Sequence, residues 1–589
     1  MNSQIKANDS AAQSVHYRSQ PNPRSIRSLY TLLTSETWLP RLLLLGGIVA
    51  IFLRAPELVL RPRFWAEEAT CYFKYAYLES FWRAALMIPM GEGGYYSLSA
   101  NLPSLLASRL LPIEQAPTLT TTFAFLVHLT PIFLIGYGSS LLWDTPLKKI
   151  LAVGVYLFAP MHPEEAWMNS INSMSYLGMV SLVILAENTA KLSKMMFSLQ
   201  LGALFFNGLS AVYTNFLAPA FLVKWLLFRT RRNFSQLAVV VAASAIQTSV
   251  VIAIALSGGM PEKKFGESVH AVRVATGIIE QIVLKSFIGP HEAYEWAKRF
   301  GLRELYDKPT IATGTELFVW IPLLAIPSVL LLLSRHPLRW VLLTAFIFES
   351  VLASVGALGG GAESRYAMVP QFTLFLLLLS ILWSQRSTWP GRIVQLVVLT
   401  AIPYSFYAAA LDRRTFSQFE YHQGAPVWAK QVARWKADPN YPIKIWPYPD
   451  WTVYLPTASG TDSLRAFADA IEAKAAAAQG DTTDSESITF EAQLTEVPLD
   501  GRVKVHLAAD LCERVAEVRL IFSRAGEKRS AQTSTNGRCE PVTVLVKGPL
   551  LRGDLIKGQL EVIARPGMTL QRRTVAKVAA FPAKETLFW

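Results

Sequence analysis

Long apolar runs separated by short connectors fill most of this chain. The runs occupy 42–53, 118–143, 201–228, 237–256, 317–333, 341–358, 372–383 and 393–411. Runs of this kind suit helices crossing a hydrocarbon core that takes ~20 residues each. Several are shorter, so span boundaries are less defined than the spans themselves. After 412 the pattern changes. A Trp- and Pro-rich stretch covers 428–456, followed by an Ala-rich linker over 463–487. From 488 onward, short alternating runs such as Val503-Lys504-Val505-His506-Leu507 and Gln559-Leu560-Glu561-Val562-Ile563 have the two-residue period of strands. The expected fold class is mainly α, a polytopic membrane protein of about eleven transmembrane helices. A C-terminal extramembrane domain resembling a β-sandwich is expected to follow it.

Composition supports the membrane reading. Of 589 residues, 52% are hydrophobic and 17% charged, and the mean hydropathy is +0.29, above the usual range of soluble domains. A net charge of +13 would suggest nucleic acid in a soluble protein. Here the basic residues sit in short connectors and in the N-terminal tail, which is how a membrane protein encodes orientation, so no nucleic-acid partner is expected. The first 40 residues are polar and basic, and no small-residue cleavage site follows the first apolar run. That run is therefore expected to remain as an anchor.

The connectors set the topology. Basic ones recur at Lys148-Lys149, at Lys191 and Lys194, at Arg229-Thr230-Arg231-Arg232, at Arg335 to Arg339, and at Arg386 to Arg392. Between them fall connectors with acids, Asn or Gly. The positive-inside rule then makes 1–40 a cytoplasmic tail and 41–411 the transmembrane domain, with outer loops at 54–117 and 257–314. Stretches 78–90 and 98–111 become amphipathic helices along the outer surface. Residues 412–487 form the periplasmic Trp/Pro segment and linker, and 488–589 the periplasmic β domain. The expected location is a bacterial inner membrane. Cys512 and Cys539 either pair on the oxidising side or stay as buried thiols.

Three constellations could carry chemistry. Glu67 and Glu68 lie in Phe64-Trp65-Ala66-Glu67-Glu68-Ala69-Thr70 in the first outer loop. A carboxylate flanked by Trp65 and Tyr72 can have its pKa raised and take a proton from a hydroxyl. Adjacent acids point to different sides, so one is expected to be catalytic and the other structural or a ligand. Glu164 and Glu165, with His162, Asn169 and Asn172, can bind a hydroxylated substrate or a divalent ion, or simply serve a helix start. Arg365 and Tyr366 follow a Gly359-Gly360-Gly361 turn, where an Arg can make paired hydrogen bonds to a phosphate. No other cofactor is expected.

An outward helix, then an aromatic with paired acids, then surface helices ending in Gly94-Tyr95-Tyr96-Ser97-Leu98 resemble the first outer loop of GT-C-type membrane glycosyltransferases. The likeness is to a bacterial branch whose loop reads Glu-Asp-Gly where this chain has Glu67-Glu68-Ala69. Further echoes are Pro163-Glu164-Glu165 with Asn169 and Asn172, Gly208-Leu209-Ser210, Arg365-Tyr366, and Pro442-Ile443-Lys444-Ile445-Trp446-Pro447 with Trp451. The resemblance covers 40–456. It implies an inverting enzyme that passes a sugar from a polyprenyl-phosphate carrier to an envelope glycan or lipid acceptor on the outer face, among membrane lipids. Glu67 or Glu68 would be the base and Arg365 would neutralise the departing phosphate. Glu164 and Glu165 would orient the acceptor or a metal, with Tyr95, Asn169, Asn172 and Tyr366 lining the site. Glu68 and Ala69 depart from the family's Asp and Gly, which leaves the choice of base open. Two other classes fit a polytopic chain: a transporter or flippase of lipid-linked saccharides, and a non-catalytic envelope assembly protein.

Overall fold

The computed structural model describes residues 37–88, 95–158, 163–256, 271–307, 335–357, 364–384, 389–411, 426–438, 441–447, 451–453 and 455. It also describes seven strands between 487 and 582. The named elements before 443 are all helical and those after it are all strands. The larger helices are α1 (Leu39–Arg54), α2 (Leu98–Leu110), α3 (Ala116–Tyr137), α4 (Pro146–Phe158), α5 (Ser173–Ala186), α6 (Lys194–Ser210), α7 (Ala218–Phe228), α8 (Arg231–Leu256), α9 (Arg339–Ala357), α10 (Ser364–Ser384), α11 (Trp389–Leu411) and α12 (Trp428–Ala437). Among the described residues, three stretches are helical, long and apolar enough to cross a membrane: Ile113–Tyr137, Arg231–Ile254 and Arg365–Trp383.

The bundle is organised around α5. Each of its fourteen residues is buried, as expected of a helix that is apolar all round and enclosed by neighbours. It packs on α3, α6, α7 and α10. Its serines are satisfied across the contacts. Ser181 Oγ pairs with Thr214 Oγ1 at 2.8 Å and accepts from Asn207 Nδ2 at 3.0 Å, the kind of polar contact that joins helices where no water competes. The apolar run over 201–228 does not form one helix. It stops at Ser210, because Ala211 is extended, and resumes as Val212–Phe216 and then α7. This break puts Tyr213 back against α5.

Two stretches sit deeper than the hydropathy pattern suggests. α2, read as a surface helix, is built into the packing through Ala100, Ser104, Leu105 and Ala107, each 1% exposed or less. Its small residues allow close approach to α3 and α6. Within 257–314, the described helices include Ile278–Leu284 and Lys285–Ile288, with Ile278, Ile282 and Ser286 buried. Gln371 of α10 donates to Gln281 O at 2.8 Å, and Ser405 of α11 donates to Ser286 O at 2.5 Å. Glu280, Gln281 and Lys285 interrupt the apolar run there and hide it from a hydropathy reading. By contrast, the Phe81–Ala85 helix leaves Phe81 and Trp82 exposed, in keeping with a position at the membrane interface.

The strands begin with a two-residue antiparallel pair, β1 (Ile443–Lys444) with β2 (Thr452–Val453). Seven more follow: β3 (Ser487–Leu494), β4 (Gly501–Leu507), β5 (Val515–Arg524), β6 (Glu527–Ser534), β7 (Val542–Val546), β8 (Ile556–Ala564) and β9 (Val575–Pro582). They form two antiparallel sheets, ordered β3-β8-β5-β6 and β7-β4-β9. The two alternating runs named above fall within β4 and β8. Cys512 and Cys539 lie outside the described residues.

The contact between α5 and Tyr213 depends on a glycine. A Cβ on Gly178 would lie 2.8 Å from Tyr213 Cβ and 3.0 Å from Val369 Cγ2. Gly178→Ala is expected to cost about 1–3 kcal/mol through overpacking. Gly202→Ala in α6, where a Cβ meets nothing within 4 Å, should leave stability unchanged or raise it slightly. Thermal unfolding of both variants in detergent checks the contrast.

Candidate functional site

The two adjacent glutamates have different surroundings. Glu67 is the residue before the π-helical turn Glu68–Phe73 and is partly exposed. Glu68 is fully buried. Its Oε2 accepts from Trp65 N at 3.1 Å, and its Oε1 accepts from Ser170 N at 2.8 Å and Ser170 Oγ at 2.6 Å. Burial pushes the Glu68 carboxyl above its ordinary value. The bonds from Ser170 and Trp65, and the nearby Arg63, oppose that shift. Glu68 therefore joins the first loop to the Glu164–Ser173 segment and holds no face to solvent. Ser170 gave no signal in the sequence.

A third segment joins the same loop. Trp65 bridges Trp446 in parallel, and Ala66 N donates to Trp446 O at 2.5 Å. The Arg63 guanidinium lies over both indoles, 4.7 Å from Trp65 and 5.0 Å from Trp446, a pair of cation–π contacts that hold the backbones together. Phe64 meets Trp428 edge-on at 4.8 Å, and Trp428 Nε1 donates to Ile113 O at 2.6 Å. The backbone is strained beside the candidate residues. Ala66 and Met168 have φ of +41° and +55°, a region non-glycine residues rarely occupy. They immediately precede Glu67 and Asn169. Such strain tends to collect at functional sites.

The second constellation is a compact turn. Glu165 O accepts from Asn169 Nδ2 and Asn172 Nδ2, both at 2.7 Å, and Asn169 Oδ1 accepts from Asn172 N at 2.9 Å. Both asparagines are thus used to shape the turn that enters α5. The Glu165 side chain is left to pair with Arg365 at 3.8 Å, with both side chains partly exposed. Arg365 also lies 5.1 Å over the Tyr366 ring. Glu164 lies in the same short 3-10 turn.

Tyr95 links the groups. Its hydroxyl donates to Met174 Sδ at 3.2 Å. Burial drives that hydroxyl above its usual range, with Tyr366 and Glu67 adding to the rise and Arg365 opposing it. Glu67, Tyr95, Glu165, Arg365 and Tyr366 thus come within electrostatic range from three separate segments. Among the described residues, no group of three or more His, Cys, Asp or Glu side chains is placed to hold a metal ion. No family model, curated protein or solved structure matches this chain.

The cross-link leads to a pH test. A carboxyl whose folded pKa is raised makes the folded state bind protons more tightly than the unfolded chain. Its stabilisation is complete below the ordinary value of 4.5 and is lost as pH rises through the folded value. The slope between them is at most about 1.4 kcal/mol per pH unit. Glu68→Gln should flatten this part of the stability–pH curve. It should also cost about 1–3 kcal/mol at acidic pH, by leaving one of the buried donors unmatched. Detergent melts from pH 4 to 8, on the wild type and the variant, test both effects.

Proposed function

We propose that this chain is a polytopic membrane glycosyltransferase of GT-C type, with about eleven spans and its basic N-terminal tail in the cytoplasm. It would move a sugar from a polyprenyl-phosphate carrier to an envelope glycan or lipid acceptor on the periplasmic face of a bacterial inner membrane. The observation that carries this reading is the convergence of a partly exposed carboxylate, Glu67, with the Glu165–Arg365 pair and Tyr95. Glu68 is bound into the scaffold, which favours Glu67 as the base.

In the proposed step, Glu67 takes the proton of an acceptor hydroxyl. The oxygen attacks the anomeric carbon from the side opposite the carrier, and the bond from that carbon to the phosphate oxygen breaks with inversion. Negative charge grows on the departing phosphate. Arg365, held loosely by Glu165 at 3.8 Å, is suited to turn its guanidinium onto that charge, where a preorganised cation lowers the barrier. Tyr95 and Tyr366 would frame the sugar.

One observation favours a second reading, transport of a lipid-linked saccharide. Glu349 in α9 is fully buried, and among the described residues neither of its oxygens has a hydrogen-bond partner. An acid at such depth often marks a transport path.

The test is a profile of lipid-linked sugars and envelope glycans in strains carrying Glu67→Gln, Glu68→Gln or Glu349→Gln. Transfer should fall by about 10²-fold or more in Glu67→Gln with the protein at normal level. Donor should accumulate on its carrier. Glu349→Gln should leave transfer intact. If the Glu67 and Glu68 variants both match wild type while folded, the glycosyltransferase reading is wrong. A transport defect confined to Glu349→Gln would support the transporter.

A further inference from the structure

Glu349 stands in the middle of α9, about 15 Å along the helix from Arg339 and about 12 Å from Ala357. It is fully buried, and among the described residues neither of its carboxyl oxygens has a hydrogen-bond partner. The next residue repeats the pattern. Ser350 is 2% exposed and its Oγ is also unmatched. A helical hydroxyl commonly donates to the carbonyl one turn back, as Thr344 Oγ1 does to Trp340 O at 2.8 Å in the same helix. A carboxylate enclosed in this way carries a desolvation cost that some partner has to offset.

The surrounding elements supply no cation to do so. α9 packs on α7, α10, Val212–Phe216, Ala271–Gly277 and Ile278–Leu284. The titratable groups of these elements are Lys224, Arg365, Tyr366, Tyr213, Arg273 and Glu280. Lys224 Nζ is engaged by Glu187 O, Gln236 Oε1 and Ile184 O. Glu280 pairs with Arg303, and Arg365 with Glu165. Burial is the one influence on the titration of Glu349, and no charged group among the described residues offsets it.

Tyr213 connects this acid with the candidate site. It is 1% exposed and lies within electrostatic range of Glu349, Tyr366 and Tyr95. The extended backbone at Ala211 puts it there by interrupting the helix. Interrupted helices are where membrane proteins often hold small ions and protons. Ser175 lies beside the Tyr213 hydroxyl and donates to Arg365 O at 3.4 Å. Hydroxyl groups thus lead from the buried acid toward Arg365 and Tyr95.

We propose that Glu349 binds a proton and exchanges it with the candidate site past Tyr213. A proton satisfies the acid with no further ligand, whereas a hard cation needs about six oxygens. The inference rests on the same buried acid as the transport reading, but not on a saccharide being moved. Proton exchange without transport would remove that reading and leave this one standing.

Infrared difference spectra of the full chain in detergent, wild type against Glu349→Gln, test it. At neutral pH the difference should contain the C=O stretch of a protonated carboxyl. Transfer to heavy water should shift that band down as the proton is replaced. Tyr213→Phe keeps the ring and removes the hydroxyl, and should slow the shift by about tenfold or more. Dicyclohexylcarbodiimide gives a second measurement on the wild type, should Glu349→Gln not fold. A protonated carboxyl passes its proton to a carbodiimide nitrogen as its oxygen bonds to the central carbon, and acyl migration to nitrogen then leaves a stable N-acylurea. Peptide mass spectrometry should find that adduct on Glu349. A carboxylate band in place of the carboxyl band, a band that does not shift in heavy water, exchange unchanged in Tyr213→Phe, or no adduct on Glu349 would each overturn the proposal.

Discussion

The segments that carry the candidate acids depend on a carboxylate with no access to water. Glu68 receives two bonds from Ser170 and one from Trp65, and so joins segments about a hundred residues apart. A buried carboxyl left without these donors would carry a large desolvation cost. The donors therefore have to arrive together, and their arrival fixes the first loop against the start of α5. With Glu68 turned inward, Glu67 occupies the adjacent, partly exposed position. The strained Ala66 backbone before it is held by Trp446 on one side and by the Glu68 cross-link on the other. Aim and anchorage are thus divided between two neighbouring residues of the same chemical type.

The same economy extends along α5. A helix buried on all sides has no room to vary, so both of its ends are fixed by the packing. At one end, the asparagine turn presents Glu165 to Arg365. At the other, Glu187 and Lys224 tie the following connector to α7. Small residues allow this closeness, with Gly178 admitting Tyr213 and Gly208 admitting Ala243. Ser181, Thr214 and Asn207 are matched to one another between the helices, because water is not there to do it.

Much of this was legible from sequence because it rests on short-range pattern. The strand runs of the C-terminal region stand out by their two-residue alternation. The three long apolar helices stand out by length, and Glu67, Glu165 and Arg365 by charge placed in non-basic connectors. What escaped depends on distant partners. Nothing about Ser170 marks it as the donor to Glu68. α2 looks amphipathic until its small residues are seen fitting against α3 and α6. The helix at 278–288 carries Glu280, Gln281 and Lys285, which lower its hydropathy. Glu280 draws these groups together, accepting from Gln281 Nε2 at 3.0 Å and pairing with Arg303. Trp446 was visible as part of a motif, but its contact with Trp65 was not.

That contact also sets an order of events. Ala66 lies in the first loop to emerge, and its hydrogen-bond acceptor, Trp446 O, is 380 residues further along the chain. During synthesis, the loop carrying Glu67 must wait for the helices in between before its backbone can settle. A chain interrupted anywhere before that point would hold the acid without its frame. An incomplete copy therefore lacks the one backbone bond that holds the strained Ala66 in place from the far end of the chain.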